Sequence, residues 1–458
     1  MSLLSKTLGL ALLLPLILTH FSPEDIVLWY TFTTMLGICL LFDIGFTPTF
    51  IRLVSYVKGG AKVEQAAFGI KNQKIATNVE VRKEFNKLFN LLNDIYMKIS
   101  FISLLIMLTI GSLLVVKPMT NSSSIPYSIS AWIILCMTSA ALLYGNKFIA
   151  ILQGWGYVAD SQRSIMLSSV LATIAASICV LMRLNIFWVI FVYQISTLLS
   201  VFINFNYIKK YQLDHKNLTL GSIDNPQSVK KKIYMTAGKS AVGILMSVGL
   251  VHLSGIGAAN FLSTTDAAVY LFSLQIIRAI STFSQAPFYT KIPIMASLYI
   301  NHSEKKLITL AGKSQLYAIL IFSFGCLFSY FIFPFVDNVI SLNTKMPSAI
   351  FWLLLTIAFL IERTGAMHIQ LYSLTNNIIW HTANGFTGLA MIIIFALSYK
   401  TIGIYAFPIS MIVAYLFIYL PMASFYAVRV VGTNYVYKNI FISFSIISLL
   451  GLLSYVSK

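Results

Sequence analysis

The chain has 458 residues, of which 58% are apolar and 10% charged, with a mean hydropathy of +0.83; this excludes a soluble globule and makes the bilayer its solvent. The formal net charge is +18, from 32 Lys and Arg against 14 Asp and Glu. In a soluble protein that excess would suggest nucleic acid, but here its placement between apolar runs assigns it to topology and anionic lipid, and no nucleic-acid partner is expected.

In chain order, apolar runs fall at residues 4–20, 27–51, 93–116, 129–152, 166–182 and 185–206, then at 239–259, 267–290, 314–336, 348–372, 384–399 and 402–427, with a further run at 440–456. Each approaches the ~20 residues that carry a helix across about 30 Å of hydrocarbon, and none shows the period-two alternation of a barrel strand. The expected fold class is therefore all-α: a polytopic membrane protein with 12 to 13 transmembrane helices in two six-helix bundles. With the N-terminus inside, 25 of the 32 basic residues lie on the inner side, 5 on the outer side and 2 within spans, which sets the orientation. The expected location is the cytoplasmic (inner) membrane.

The first run follows Lys6 but has no small-residue cleavage signal after it, so it reads as a retained span. Ser22-Pro23-Glu24-Asp25 reads as the start of the next helix, with Ser22 as cap, Pro23 in the first turn and two acids complementing the helix dipole. Cys39, Cys136, Cys179 and Cys326 all lie within spans and read as small apolar residues. No disulfide framework, metal motif or cofactor is expected.

The organisation expected is an N-terminal bundle over 1–208, an inner-face linker over 209–238 containing Asp224-Asn225-Pro226 and the basic run Lys230-Lys231-Lys232, a C-terminal bundle over 239–428, and an extra helix within 429–458. Six is even, so both halves enter the membrane in the same direction. One echo relates them: Pro48-Thr49-Phe50-Ile51-Arg52 and Pro287-Phe288-Tyr289-Thr290-Lys291 each place a proline four residues before a basic group. Gly45, Pro48 and Pro287 are the expected hinges.

The chemistry lies in the polar residues that hydrocarbon should not tolerate. In Gln275-x-x-Arg278-x-x-x-Thr282-x-x-Gln285 the helical spacing puts all four polar groups on one face. Arg278 lies near mid-span, where it costs at least about 2.5 kcal/mol on insertion scales, so the stripe should line a cavity; the plainer alternative is a structural pair with a carboxylate. Lys147, near the inner end of its span, reads as a ligand contact or as a snorkelling amine. Arg363 shares a face with Gln370, and Glu362 points about 100° away from it. Asp43, in Asp43-Ile44-Gly45-Phe46-Thr47-Pro48, reads as a partner for a basic side chain or loosened backbone, or as an ion-coupling group; Glu362 is a second candidate for coupling or gating. Arg52 reads as a topology residue and His252 as a satisfied core histidine. Most aromatics read as interfacial anchors, with Phe288 and Tyr289 placed to stack on sugar rings.

Several stretches resemble Wzx-type oligosaccharide flippases. They are Leu14-Pro15-Leu16-Ile17-Leu18 through Ser22-Pro23-Glu24-Asp25, Leu28-Trp29-Tyr30, Asp43 to Thr49, Ser284 to Pro293, and Trp380-His381-Thr382-Ala383-Asn384-Gly385. The resemblance covers nearly the whole chain and departs from the family in a shorter start and a thirteenth run. It implies a branch of the multidrug/oligosaccharidyl-lipid/polysaccharide exporter superfamily, built as two six-helix bundles in a V that opens alternately to each side. The implied cargo is oligosaccharide on polyprenyl pyrophosphate, and the implied partners are membrane lipids and other polysaccharide assembly proteins. An anionic headgroup suits a basic stripe. A drug or cation antiporter would place acids at its centre, and a peptidoglycan-precursor flippase would have more spans. An enzyme using lipid-linked sugar would need outer catalytic residues; Glu24-Asp25 has the capping explanation, and the predicted outer loops are short. The chain is therefore expected not to be an enzyme.

Overall fold

The computed structural model describes residues 13, 15–43, 45–68, 78–123, 125–211, 213, 226–244, 249–300, 302–339, 346–375 and 379–456. Among them there is no strand, and two compact units divide between Leu245 and Met246.

The first unit opens with α1 (Pro23–Leu41), whose start follows from the residues that begin it. The Ser22 side chain accepts from Asp25 N at 3.3 Å, with Pro23 in the first turn, a cap that stabilises by about 1 kcal/mol. The Asp25 carboxylate in turn accepts from Ser123 N at 3.2 Å and Ser123 Oγ at 2.6 Å. Glu24-Asp25 is thus the start of a helix, with Asp25 tied to a neighbouring loop. α1 stops at Phe42, and α2 (Phe46–Lys58) begins after Gly45, so the run expected at 27–51 is two helices with Asp43 in the break. Pro48 lies inside α2, beyond the break.

There follow α3 (Val63–Phe68), α4 (Asn78–Ile106), a π-turn over Met107–Gly111, α5 (Ser112–Thr120), α6 (Ile125–Gly154), α7 (Val158–Leu181) and α8 (Ile186–Lys210). α4 begins well before the expected residue 93. Helix-forming Glu80, Arg82, Lys83, Glu84 and Lys87 extend it toward its start, and its buried stripe of Phe85, Leu88, Leu92 and Tyr96 holds it down. α6 is central, touching α1, α2, α4, α5, α7 and α8.

The expected linker is described only from 226 on and at a few residues before; Asp224 and Asn225 lie outside the described residues. From Pro226 it forms α9 (Pro226–Ile244), which packs on α2 and α3. Val229, Ile233 and Ala237, spaced by four, are its buried face, and Lys230 Nζ pairs with Asp94 Oδ2 at 2.6 Å. Gly45 makes the closest approach: a Cβ there would stand 2.0 Å from the Ala237 carbonyl oxygen. Its backbone is ordinary (φ −83°, ψ −25°), so it is glycine for space and not for conformational freedom.

The second unit contains α10 (Leu250–Phe261), α11 (Thr264–Ser284), α12 (Ala286–Tyr289), α13 (Ile292–Ile300), α14 (Glu304–Val339), α15 (Ala349–Tyr372), α16 (Trp380–Ile402), α17 (Ala406–Ala414), a π-turn over Tyr415–Tyr419, α18 (Leu420–Val431) and α19 (Thr433–Val456). α15 is its central helix, packed on α11, α14, α17, α18 and α19. α11 repeats the design of α1. Ser263 caps it by accepting from Asp266 N at 3.2 Å, and it breaks at Gln285, immediately before the Pro287 helix α12.

Nine stretches among the described residues are long and apolar enough to span a bilayer. The run at 4–20 lies mostly outside the described residues, and that at 239–259 is interrupted by 245–248, which also lie outside them. The runs at 384–399 and 402–427 merge into Trp380–Val431, turned at Gly403, whose φ of +55° suits glycine. The run at 440–456 falls in α19. The chain is an all-α, multi-pass membrane protein.

Gly45→Val should force α9 off α2 and lower the thermal midpoint of the detergent-purified protein, at about 1–3 kcal/mol for overpacking. Gly257→Ala, whose added Cβ would meet the Phe407 ring at 3.7 Å and the Phe261 ring at 4.0 Å, both ordinary contacts, should melt like the parent.

Candidate functional site

α11 carries the polar stripe. Its helical geometry keeps Gln275, Arg278 and Thr282 on one side, while Gln285 is the residue that ends the helix. Arg278 is partly exposed, and its partner is a histidine. Nη2 stands 2.8 Å from Nε2 of His252, and Nη1 3.4 Å from Nδ1. Among the described residues no carboxylate pairs with Arg278. The structural pair with an acid, open on sequence grounds, is therefore replaced by a bond to a neutral ring. His252 is buried, 6% exposed, as a core histidine would be, but its position beside Arg278 makes it part of the stripe. Thr282 is turned inward on its own helix, its hydroxyl donating to the Arg278 carbonyl at 2.8 Å. Gln275 lies one turn before Arg278, partly exposed.

The second arginine has the opposite character. Arg363 of α15 is 5% exposed and reaches across to the end of α11, donating through Nη1 to Gln285 Oε1 at 3.0 Å and through Nη2 to Ser281 Oγ. Glu362 Oε2 is 3.9 Å from Nη2, an ion pair beyond hydrogen-bond distance, as side chains diverging from adjacent helical positions would give. Nε of Arg363 has no partner among the described residues. Arg363 thus staples the break after α11 to the central helix. Phe288 is fully buried, so its ring is not presented to a sugar. His368 is also fully buried and meets Ser424 Oγ at 3.2 Å.

Lys147 and Asp43 belong to the first unit, in a cluster of their own. Asp43, 6% exposed, accepts through Oδ2 from Thr47 Oγ1 at 2.7 Å and Asn146 Nδ2 at 2.6 Å, while Oδ1 has no partner among the described residues. Thr47 also meets Tyr96 OH at 2.7 Å. Among the described residues no basic side chain pairs with Asp43, and its bonds lie at the break between α1 and α2, as the loosened-backbone reading has it. Its backbone carbonyl accepts from Phe46 N and Thr47 N, starting α2 across the break. Lys147 is 4% exposed and does not snorkel. Its amine donates to Asn93 Oδ1 at 2.6 Å, shared with Tyr144 OH at 2.8 Å, and sits 3.4 Å from the Tyr144 ring centroid, a cation–π contact that partly replaces water.

Sequence reasoning missed Ser281, which sits three residues after Arg278 on the same stripe. It also missed Asn93, Asn146 and Tyr96, whose polarity is unremarkable until α4 and α6 are brought together.

No protein-family profile matches the chain, and no curated protein matches it by sequence. Solved structures do match in fold. An inward-facing multidrug resistance MATE family transporter of the MOP superfamily is 13% identical, with a TM-score of 0.63 over 97% of this chain and 95% of that one. The lipid II flippase MurJ in an inward closed conformation is 13% identical, with a TM-score of 0.60 over 99% and 95%. A Pyrococcus furiosus MOP superfamily transporter, described as having a binding pocket of reversed polarity, is 14% identical, with a TM-score of 0.50 over 98% and 95%. The chain has the fold of MOP superfamily transporters. At these identities the likeness is one of fold; the residues within it are this chain's own.

Removing Arg363 deprives Ser281 and Gln285 of their described donor in a buried seam, a loss of about 1–3 kcal/mol. Arg363→Met should therefore lower the thermal midpoint of the purified protein clearly more than Arg278→Met, which vacates a partly exposed position. Equal midpoints for the two variants would contradict this division of roles.

Proposed function

We propose that this chain is a flippase that moves polyprenyl-pyrophosphate-linked oligosaccharide from the inner to the outer leaflet, for O-antigen or other surface polysaccharide synthesis. It does so by presenting a cationic site alternately to the two sides, from the cytoplasmic membrane, with the N-terminus inside. The observation that carries this reading is Arg278, a partly exposed guanidinium inside an apolar helix whose described partner is a neutral ring. A charge placed there without an acid is available to an incoming anion, and a guanidinium binds pyrophosphate oxygens through paired N–H groups. Gln275, Thr282 and Gln285 line the same stripe. Arg363 serves the stripe by fixing the end of α11, and Lys147 is a further basic candidate for headgroup contact within the first unit.

The lipid tail stays in the bilayer while the headgroup crosses, and no covalent bond changes. The membrane potential assists the movement. Each elementary charge crossing 100 mV gains about 2.3 kcal/mol, and a headgroup with two negative charges leaving a negative interior gains about twice that. Asp43 and Glu362 are the acidic groups in the spans that could couple a cation to the cycle or gate it. Asp43 carries the stronger case, because one of its oxygens has no described partner.

A second reading, a peptidoglycan-precursor flippase, has the likeness to the lipid II flippase in its favour. The drug or cation antiporter suggested by the MATE neighbour would require an acid where this chain has Arg278.

Cells lacking the protein should accumulate a lipid-linked oligosaccharide on the inner leaflet, and its composition names the cargo. Arg278→Ala should reproduce that accumulation at normal abundance in the membrane; normal export in this variant would remove Arg278 from the site. In vesicles with a clamped potential, flipping should speed up when the side the headgroup leaves is negative, and a rate and extent indifferent to voltage would count against a net anionic cargo.

A further inference from the structure

The bond between Arg278 and His252 fixes the protonation state of the ring. A guanidinium has donors only, so Nε2 of His252, 2.8 Å from Nη2, offers its lone pair; the imidazole is then neutral with its hydrogen on Nδ1, and the longer 3.4 Å approach of Nη1 to Nδ1 is a contact without a hydrogen bond. A proton added at Nε2 would set two cations and two donors against each other at hydrogen-bond distance. The charged and titratable groups facing the ring from α11 are Arg278 and Tyr270, whose hydroxyl donates to Ser254 Oγ at 2.7 Å. No carboxylate is among the described partners of either His252 or Arg278. Among the described residues the site therefore holds one positive charge, with the buried His252 base beside it.

A diphosphate diester carries two negative charges, one more than Arg278 offers. When its oxygens draw the guanidinium N–H groups toward themselves, Nε2 loses its donor and lies beside an anion. Both changes leave Nε2 as an unpaired base facing an anion. We infer that His252 is a second ligand of the anionic headgroup, taking a proton at Nε2 as the cargo binds and releasing it as the cargo leaves. The proton comes from water on the side of entry; an N–H bond forms, nothing in the cargo breaks, and one proton accompanies each headgroup, so that the net charge carried across is one and the voltage gain of the bare headgroup is halved. The site would then prefer a diphosphate diester over a monoanionic phosphodiester, because only the former leaves a charge for the imidazolium to meet. This inference rests on the reading of Arg278 as the headgroup site.

The test is calorimetric titration of the full-length protein in detergent with synthetic farnesyl-diphospho-N-acetylglucosamine, repeated in buffers of different ionisation enthalpy. The diester groups of this probe do not titrate near neutrality, so protons taken up belong to the protein. The wild type should take up close to one proton per probe bound above neutral pH, with affinity falling as pH rises. His252→Gln, whose amide oxygen still accepts from Arg278, should keep the wild-type thermal midpoint and bind with no linked proton. Below neutral pH it should bind about tenfold more weakly than the wild type, a factor that corresponds to 1.4 kcal/mol. Equal proton uptake in wild type and His252→Gln, or Arg278-dependent binding without uptake in the wild type, would overturn the inference. Undiminished binding in Arg278→Ala would instead overturn the headgroup reading beneath it.

Discussion

A guanidinium in the middle of an apolar helix, held by a neutral imidazole, is the constraint on which the functional account depends. Placing Arg278 there costs at least about 2.5 kcal/mol on insertion scales, and a hydrogen bond involving a charged group returns about 1.5–3 kcal/mol. The two are comparable, so the chain can hold the arginine without an acid beside it. Among the described residues no acid meets the charge, which is what the proposed anion site requires. An aspartate in place of His252 would fix the arginine more firmly and cancel that charge.

The buried charges elsewhere are each bonded to a neighbouring helix. Arg363 is bonded to both Ser281 and Gln285 where α11 ends, and its work is to join that break to the central helix of its unit. Lys147 is enclosed by Asn93 and the Tyr144 ring. Asp43 sits where α1 gives way to α2, and its carbonyl and carboxylate both serve the start of α2. Each unit therefore has a capped helix of about twenty residues, then a break, then a helix containing proline. Polar residues gather at both breaks because backbone groups freed from the helix must find partners away from water.

The helices were legible in the sequence because hydrocarbon imposes one solution on an apolar run, and Ser22 and Pro23 announced where α1 begins. The echo of Pro48 and Pro287 marked the right neighbourhoods, although the breaks precede the prolines. Gly45 also gives room to the Ala237 carbonyl, a tertiary contact that no local pattern encodes. The N-terminal extension of α4 was hidden by its charges, since a polar loop and an amphipathic helix differ only in a stripe of four apolar residues. The partner of Arg278 was hidden for a similar reason. A lone histidine on the preceding helix gives no sign of which face it turns, and pairing it required the packing of α10 on α11.

The central claim is that the cargo is recognised by its negative charge. It is tested most directly by reconstituting the protein in vesicles with two synthetic lipids that carry the same oligosaccharide and tail, one joined through a diphosphate and the other through a neutral ether. Only the diphosphate lipid should cross at a rate that depends on the protein. Equal protein-dependent crossing of both lipids would contradict the account.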